Sequence, residues 1–264
     1  MEDFSIELAG IPINVKCKYE ENKTFFTGYY TSKKPAFSVE PDEETIIGVQ
    51  ADFDVLNESE GSPKVAYPKS FLENNAIHIL IADKLSEYNA IMLHGSALAI
   101  DGKGIIFTAK SGTGKSTHTR LWREVFGSRV QMINDDKPLI RVDEMKVYGT
   151  PWNGKHHLSN NIAAPLKAIV KLERATENQV KPLGVKESLD MLMKRTHVPT
   201  NPSQKALVMN LYLKLVGSLP FYKLECNMDP EAAQVVYNTI INNKFILNKN
   251  GGETNEEGIC NSRG

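Results

Sequence analysis

The chain of 264 residues is 41% hydrophobic and 24% charged, the makeup of one large or two small globular domains whose core needs no disulfide or metal staple. Its 31 basic and 32 acidic side chains leave a net charge of −1, which excludes a broad electrostatic grip on nucleic acid or on an anionic membrane; any polyanion must be held at one local site. Three scattered cysteines, Cys17, Cys226 and Cys260, form no C-x-x-C pair, and no apolar run approaches the ~20 residues of a membrane span. The N-terminus lacks the basic and apolar regions of an export signal, so the expected setting is the cytoplasm, with no nucleic-acid or membrane partner.

Residues 1–68 are expected as a small β-rich extension, with strands at 11–15, 24–27 and 46–49, and a Pro- and Gly-bearing loop from Asp54 to Pro68. Residues 69–89 place Ile77, Leu80, Ile81, Leu85 and Tyr88 on one helical face. Strands follow at Ala90–Leu93, Ala97–Ile100 and Gly104–Thr108, the last two joined through the tight-turn pair Asp101-Gly102. A helix from Lys115 to Phe126 leads to a strand at 129–133, then to a hairpin within 139–147. Tyr148 to Asn161 reads as a polar loop, and 168–172 as a buried strand. The last third is expected to be helical at 186–197, 202–217 and 230–242, with a strand at 221–226. Residues 69–248 form the core unit, and 249–264, polar and Gly-rich, are expected to be disordered.

The strongest motif runs from Ala109 through Lys110, Ser111, Gly112, Thr113 and Gly114 to Lys115 and Ser116. It fits the Walker A pattern G-x-x-x-x-G-K-[ST] except that Ala109 stands at the first glycine. Gly112 and Gly114 let the backbone turn so that successive N–H groups converge on phosphate oxygens. Lys115 brings a cation to the β/γ-phosphates, the Ser116 hydroxyl can ligate Mg²⁺, and the following helix adds its positive end, with Thr117 in its first turn. The flanks are those the motif demands, a strand before and a helix after. A dinucleotide fingerprint fails because Thr117 stands at its third glycine.

Asn134, Asp135 and Asp136 close the strand after that helix. Two carboxylates at the C-terminal end of a strand sit beside the loop in a sheet of this type. One can hold Mg²⁺, and the other can take the proton of an attacking hydroxyl. His94, before Gly95, closes a strand two segments ahead of the loop. Further on, Trp152 is either the wall of an acceptor pocket with Lys155 as its anion anchor, or a core side chain under a surface loop. His118 and Arg120 are read either as ligand contacts or as a solvated helix face. The adjacent pair His156-His157 has no carboxylate or Cys partner nearby and is rejected as a metal site.

These residues carry a resemblance. His94-Gly95-Ser96, the Asp101-Gly102 hairpin, Ser111 to Ser116 and Asp135-Asp136 resemble, in kind, order and spacing, the core of HPr kinase/phosphorylase, which that enzyme shares with ATP-dependent phosphoenolpyruvate carboxykinase. Ser111–Trp122, Ile133–Pro138 and Gly149–Lys155 look like a group of small bacterial HPr-kinase-related proteins. The resemblance covers about residues 90–175. It implies an α/β fold with a mixed central sheet and a P-loop, and a kinase using ATP and Mg²⁺. In that reading Lys115 meets the transferred phosphate, Ser116 and Asp135 the metal, Asp136 serves as base, and His94 lies near the acceptor. A catalytic arginine is expected further along, at Arg174 or Arg195. The family's second Gly-rich signature carries an acidic metal ligand, whereas Tyr148 to Gly154 has no carboxylate. The expected acceptor is therefore a hydroxyl of another protein, a peptide or a small metabolite rather than HPr itself. The alternatives are a nucleotide-binding regulator without turnover and a carboxykinase-like transfer to an enolate. A homo-oligomer is compatible with this reading.

Overall fold

The computed structural model describes residues 1–59, 61–154 and 156–242. They form a mixed α/β fold with a three-stranded sheet, a nine-stranded mixed sheet and seven α-helices among the described residues. The tail expected to be disordered from Lys249 onward lies outside them.

β1 (Glu2–Leu8) and β2 (Ile11–Cys17) pair as an antiparallel hairpin, and β3 (Phe37–Val39) joins β2 in parallel. Along β2 every second side chain is buried, as the alternation of its sequence demands. Two segments expected as strands are helical instead. Residues 24–27 straddle the end of α1 (Glu20–Phe25), and residues 46–49 lie inside α2 (Glu43–Ser59), which also runs past Asp54 into the expected loop. The β propensity of Ile46, Ile47 and Val49 loses to capping and packing. Asp42 Oδ1 accepts the Thr45 N–H at 2.8 Å, Glu43 and Glu44 fill the first turn, and Ile46 and Val49 bury against Leu72 and Ala76 of α3 (Lys69–Leu85). Around α1 the deciding contact is also tertiary, since Phe26 is fully buried edge-on to Trp152.

The large sheet is organised around β10 (Ala163–Arg174). Residues 163–165 pair antiparallel with β9 (Lys146–Tyr148), and residues 169–174 pair parallel with β12 (Phe221–Cys226). On its opposite edge β10 runs parallel to β6 (Lys103–Thr108). β6 turns back from β5 (Ser96–Ile100) through Asp101 and Gly102, and β7 (Val130–Asn134) pairs antiparallel with β5. β4 (Ala90–Met92) and β8 (Leu139–Arg141) extend the sheet antiparallel beyond β9, while β11 (Gln179–Pro182), absent from the sequence expectation, borders β12.

β7 is antiparallel to β5, and β5 to β6, so β7 runs in the direction of β6, as do β10 and β12. The C-terminal ends of these four strands and the N-terminal end of β5 therefore meet at one sheet edge. Alternation divides the side chains between the two faces. Phe107, Leu172 and Leu224 pack with α4 (Lys115–Phe126) and with α7 (Glu231–Val236), which continues as a π-helical turn. Ile106, Ile169 and Phe221 pack with α5 (Val185–Arg195) and α6 (Pro202–Ser218). α3 joins the two sheets: its Ile77, Ile81 and Leu85 share a core with Ile6, Ile13 and Val15 on one side and Ala90 and Met92 on the other. Among the described residues no helix is long and apolar enough to cross a membrane.

Candidate active site

The loop between β6 and α4 lies at the shared edge. Gly112 and Gly114 take φ of 74° and 118°, backbone that a side chain resists. Ala109, where the sequence motif has its first glycine, does not take positive φ; it is 2% exposed and packs in the core, so a Cβ is welcome there. Arg174, at the end of β10, donates from Nε to Thr113 O at 3.1 Å and from Nη2 to Gly112 O. Its guanidinium pins the loop carbonyls on its own side. Gly114 caps α4 without a side-chain hydrogen bond, which leaves the first-turn N–H groups of the helix unpaired, with Lys115 and Ser116 at their centre.

The turn after β7 is built on Asn134, which is fully buried. Its Oδ1 accepts the N–H groups of Asp136 (2.8 Å) and Lys137 (2.6 Å), an Asx turn that holds Asp136 at the edge. Its Nδ2 donates to the carbonyls of Thr150 and Trp152, both at 3.0 Å, and so fastens the 150–154 segment to the same turn. Asp135 points into that segment. Its Oδ1 accepts the Gly154 N–H at 2.6 Å, and its Oδ2 is buried with no partner among the described residues.

His94 closes the arrangement from β4. Its N–H donates to Arg195 O at 2.6 Å, its carbonyl accepts the Thr108 hydroxyl at 2.8 Å, and Gly95 N–H donates to Asp136 O at 2.9 Å. These bonds seat His94 Nε2 3.3 Å from Asp136 Oδ1. Burial first, then the charges of Lys137, Lys115 and Arg195, push the imidazole down to about 3. The contact therefore sets a neutral ring beside a carboxylate and is not an ion pair. Burial also raises Asp136 above the ordinary carboxylate range, against Lys137 and Lys115, which hold it down. Lys115 in turn is lowered by burial, opposed by Asp136. His94, Lys115, Asp136 and Arg195 thus share one electrostatic environment, although the sequence spreads them over a hundred residues. Asp135 Oδ2 and the Ser116 hydroxyl are hard oxygen donors, a set that suits Mg²⁺ completed by ligand oxygens and water. The orphaned buried oxygen of Asp135 is what such an ion would satisfy, and no group of three or more His, Cys, Asp or Glu suited to a metal occurs among the described residues.

Two clefts flank the loop. On the α4 side a cavity of about 440 Å³ is lined by Thr113, Thr117, Leu121, Leu172 and Met228. On the α5 side a groove of about 760 Å³ runs between the loop, the end of β10 and α5 as far as Arg195. Trp152 borders neither, so its expected place on a pocket wall is corrected. Its Nε1 donates to Asn74 Oδ1 at 3.0 Å and its ring lies edge-on to Phe26 and His78, which satisfies both the polar and the apolar parts of the indole inside the core. His118 borders the cavity on the α4 side, as a buried ring and not as part of a solvated helix face. It is 3% exposed and accepts the Trp122 Nε1–H at 3.0 Å, and burial pushes it down to about 3. Arg120 is exposed and pairs with Glu124 at 2.8 Å. Lys155 lies outside the described residues. Sequence reasoning missed Asn134 and Lys137 as parts of the site; an Asn directly before two aspartates carries the Asx-turn signal that could have found the first.

Residues 68–236, well over half of the chain, match the family model described as SynChlorMet cassette protein ScmC. No curated protein matches the chain. Among solved structures, the HPr(Ser) kinase/phosphatase from Coxiella burnetii is similar over 60% of this chain and 92% of its own, at 12% identity and a TM-score of 0.30, a likeness too loose to carry an argument.

Proposed function

The chain belongs to the ScmC family, and for this member we propose an ATP-dependent phosphotransferase that acts on an alcohol group. The observation that carries the reading is the meeting, at one sheet edge, of unpaired helix N–H groups and Lys115 with a carboxylate, Asp136, that lies beside a neutral histidine. That is an anion cradle facing a base, the two parts that phosphoryl transfer between oxygens needs.

In this reading the glycine loop is a P-loop. The N–H groups of α4 and the Lys115 ammonium hold the β- and γ-phosphates, and the base of the nucleotide lies in the apolar cleft of Leu121, Leu172 and Met228. Asp136, with His94 Nε2 3.3 Å from its Oδ1, accepts the acceptor's hydroxyl proton. As that proton moves to Asp136, the acceptor oxygen bonds to the γ-phosphorus and the bond to the β-phosphate oxygen breaks, releasing ADP. Arg195, whose charge reaches both Lys115 and His94, neutralises the transferred group, while Arg174 keeps the loop in shape. Ser116 and Asp135 would hold Mg²⁺, which when bound neutralises charge on the phosphate oxygens.

Two substitutions test the reading. Lys115→Ala abolishes stabilisation by Mg-ATP in a thermal-shift assay. Asp136→Asn keeps that stabilisation and lowers phosphate transfer from γ-labelled ATP by about 10²–10⁴-fold, the usual worth of a general base. Full transfer by Asp136→Asn refutes the base assignment, and an unchanged shift with Lys115→Ala refutes the cradle.

A further inference from the structure

The groove beside α5 has a charge pattern that the donor nucleotide leaves unused. Strand register sets Lys171 of β10, Lys223 of β12 and Lys181 of β11 directly opposite one another, and Lys171 is opposite Thr108, the last residue before the glycine loop. Directly opposed residues share a face, and like charges in that relation repel. The row is tolerated because Glu173 and Glu225 lie two residues further along the same face, giving ion pairs Lys171–Glu173 at 2.6 Å, Lys181–Glu225 at 2.7 Å and Lys223–Glu225 at 2.8 Å. The groove walls add Lys110 and Arg195, which have no ionic partner among the described residues, and Lys194, paired with Asp190. With Lys171, Lys223 and Arg174, six cations line the groove against Glu173, Glu187 and Asp190, and Lys181 continues the row just beyond the lining, in a chain whose net charge is −1.

Resting on the proposed phosphotransferase reading, we propose that the acceptor is a peptide segment with acidic side chains close to its phosphorylated hydroxyl, lying in this groove across the lysine row. Thr108, opposite Lys171, donates its hydroxyl to the carbonyl of His94, so the line of positive charge starts one strand from His94 and leads away from it. Three strand spacings of about 4.8 Å carry it roughly 14 Å to the β11 edge, the reach of about four extended residues. The groove holds about 760 Å³, more room than a small hydroxylated metabolite would fill. The carboxylates that now pair with the lysines are surface groups, 27–40% exposed, and an incoming acidic chain exchanges for them at little cost.

The test measures binding apart from transfer. A fluorescein-labelled peptide with a central serine flanked by glutamates is titrated with the full chain in ~0.15 M salt, beside the same peptide with lysines in place of the glutamates. The acidic peptide is expected to bind at least about tenfold tighter, and the double variant Lys181→Gln/Lys223→Gln to lose most of that preference, with Mg-ATP stabilisation showing that the variant is folded. Equal affinity for the two peptides, or an undiminished preference in the variant, overturns the inference while leaving the kinase reading intact. Displacement of the acidic peptide by inorganic phosphate far beyond the effect of chloride at equal ionic strength also overturns it, since the groove would then be a small-anion site. Tight, lysine-dependent binding with no phosphate transfer supports the groove and refutes the kinase reading instead.

Discussion

Asn134 offers the sharpest single perturbation. Its side chain is fully buried and serves four backbone groups: the N–H of Asp136 and Lys137, and the carbonyls of Thr150 and Trp152. In Asn134→Ala the Thr150 carbonyl keeps the Ser159 hydroxyl as donor, but the other three lose their main partner. At about 1–2 kcal/mol for each group left short, the loss is about 3–6 kcal/mol. Asn134→Asp is more telling, because it keeps the oxygen that holds the Asx turn and sets a second, charged oxygen against two carbonyls 3.0 Å away. An uncompensated buried charge of this kind costs about 3–5 kcal/mol. The folded state raises the pKa of the introduced carboxyl above its unfolded value, so its ionised form opposes folding. The deficit against wild type is full above the folded pKa and shrinks as pH falls toward the unfolded one. Urea unfolding followed by circular dichroism at pH 8 and pH 5, with an unchanged m-value, measures both effects. An Asn134→Asp protein within ~0.5 kcal/mol of wild type at pH 8 would refute the bridging role of the amide.

Three further outcomes are expected. The transfer rate should climb with pH as Asp136 loses its proton, with the acid limb above the ordinary carboxylate range; Lys137→Met removes a charge that holds Asp136 down, so the limb moves to higher pH, and an unmoved limb contradicts the assigned environment. His78, His94 and His118 are held neutral down to about 3 chiefly by burial, so the stability each contributes is whole above the unfolded value near 6.5 and is lost as pH falls toward 3. Because more than one histidine is held neutral, the fall near pH 5 is steeper than the about 1.4 kcal/mol per pH unit of a single histidine, and a slope no steeper than that refutes the shared burial. Trp152→Phe removes the donor to Asn74 and should destabilise by about 1–3 kcal/mol with the acceptor KM unchanged, whereas a raised KM at wild-type stability would return Trp152 to the groove wall.

Legibility differed from element to element for physical reasons. α4 was readable to the residue because a glycine pair before it and an apolar stripe along it are local signals. β5 and β6 were readable because Asp101-Gly102 is a turn that few other sequences make; both residues take positive φ. Residues 46–49 were misread because their β-branched side chains speak for a strand, while the surface that makes them helical, Leu72 and Ala76, lies more than twenty residues away. Trp152 and His118 stood open for a similar reason. A polar tip on an apolar ring suits a pocket or a core equally well, and only the positions of Asn74 and Trp122 decide between them.

The sequence alone was enough to point the proposed anion binding to one loop: balanced charge excluded a broad surface, and the residues from Ala109 to Ser116 offered the backbone freedom and the cation. It also named His94, Lys115 and Asp136. What it could not contain was their meeting. That depends on β5 running against both β6 and β7, which brings three separate strand ends to one edge, and on α5 returning to put Arg195 beside His94. The lysine row belongs to the same class of fact. Lys171, Lys181 and Lys223 are unremarkable in the chain and become a line of charge only when register sets them opposite one another, because proximity across a sheet follows strand pairing and not sequence distance.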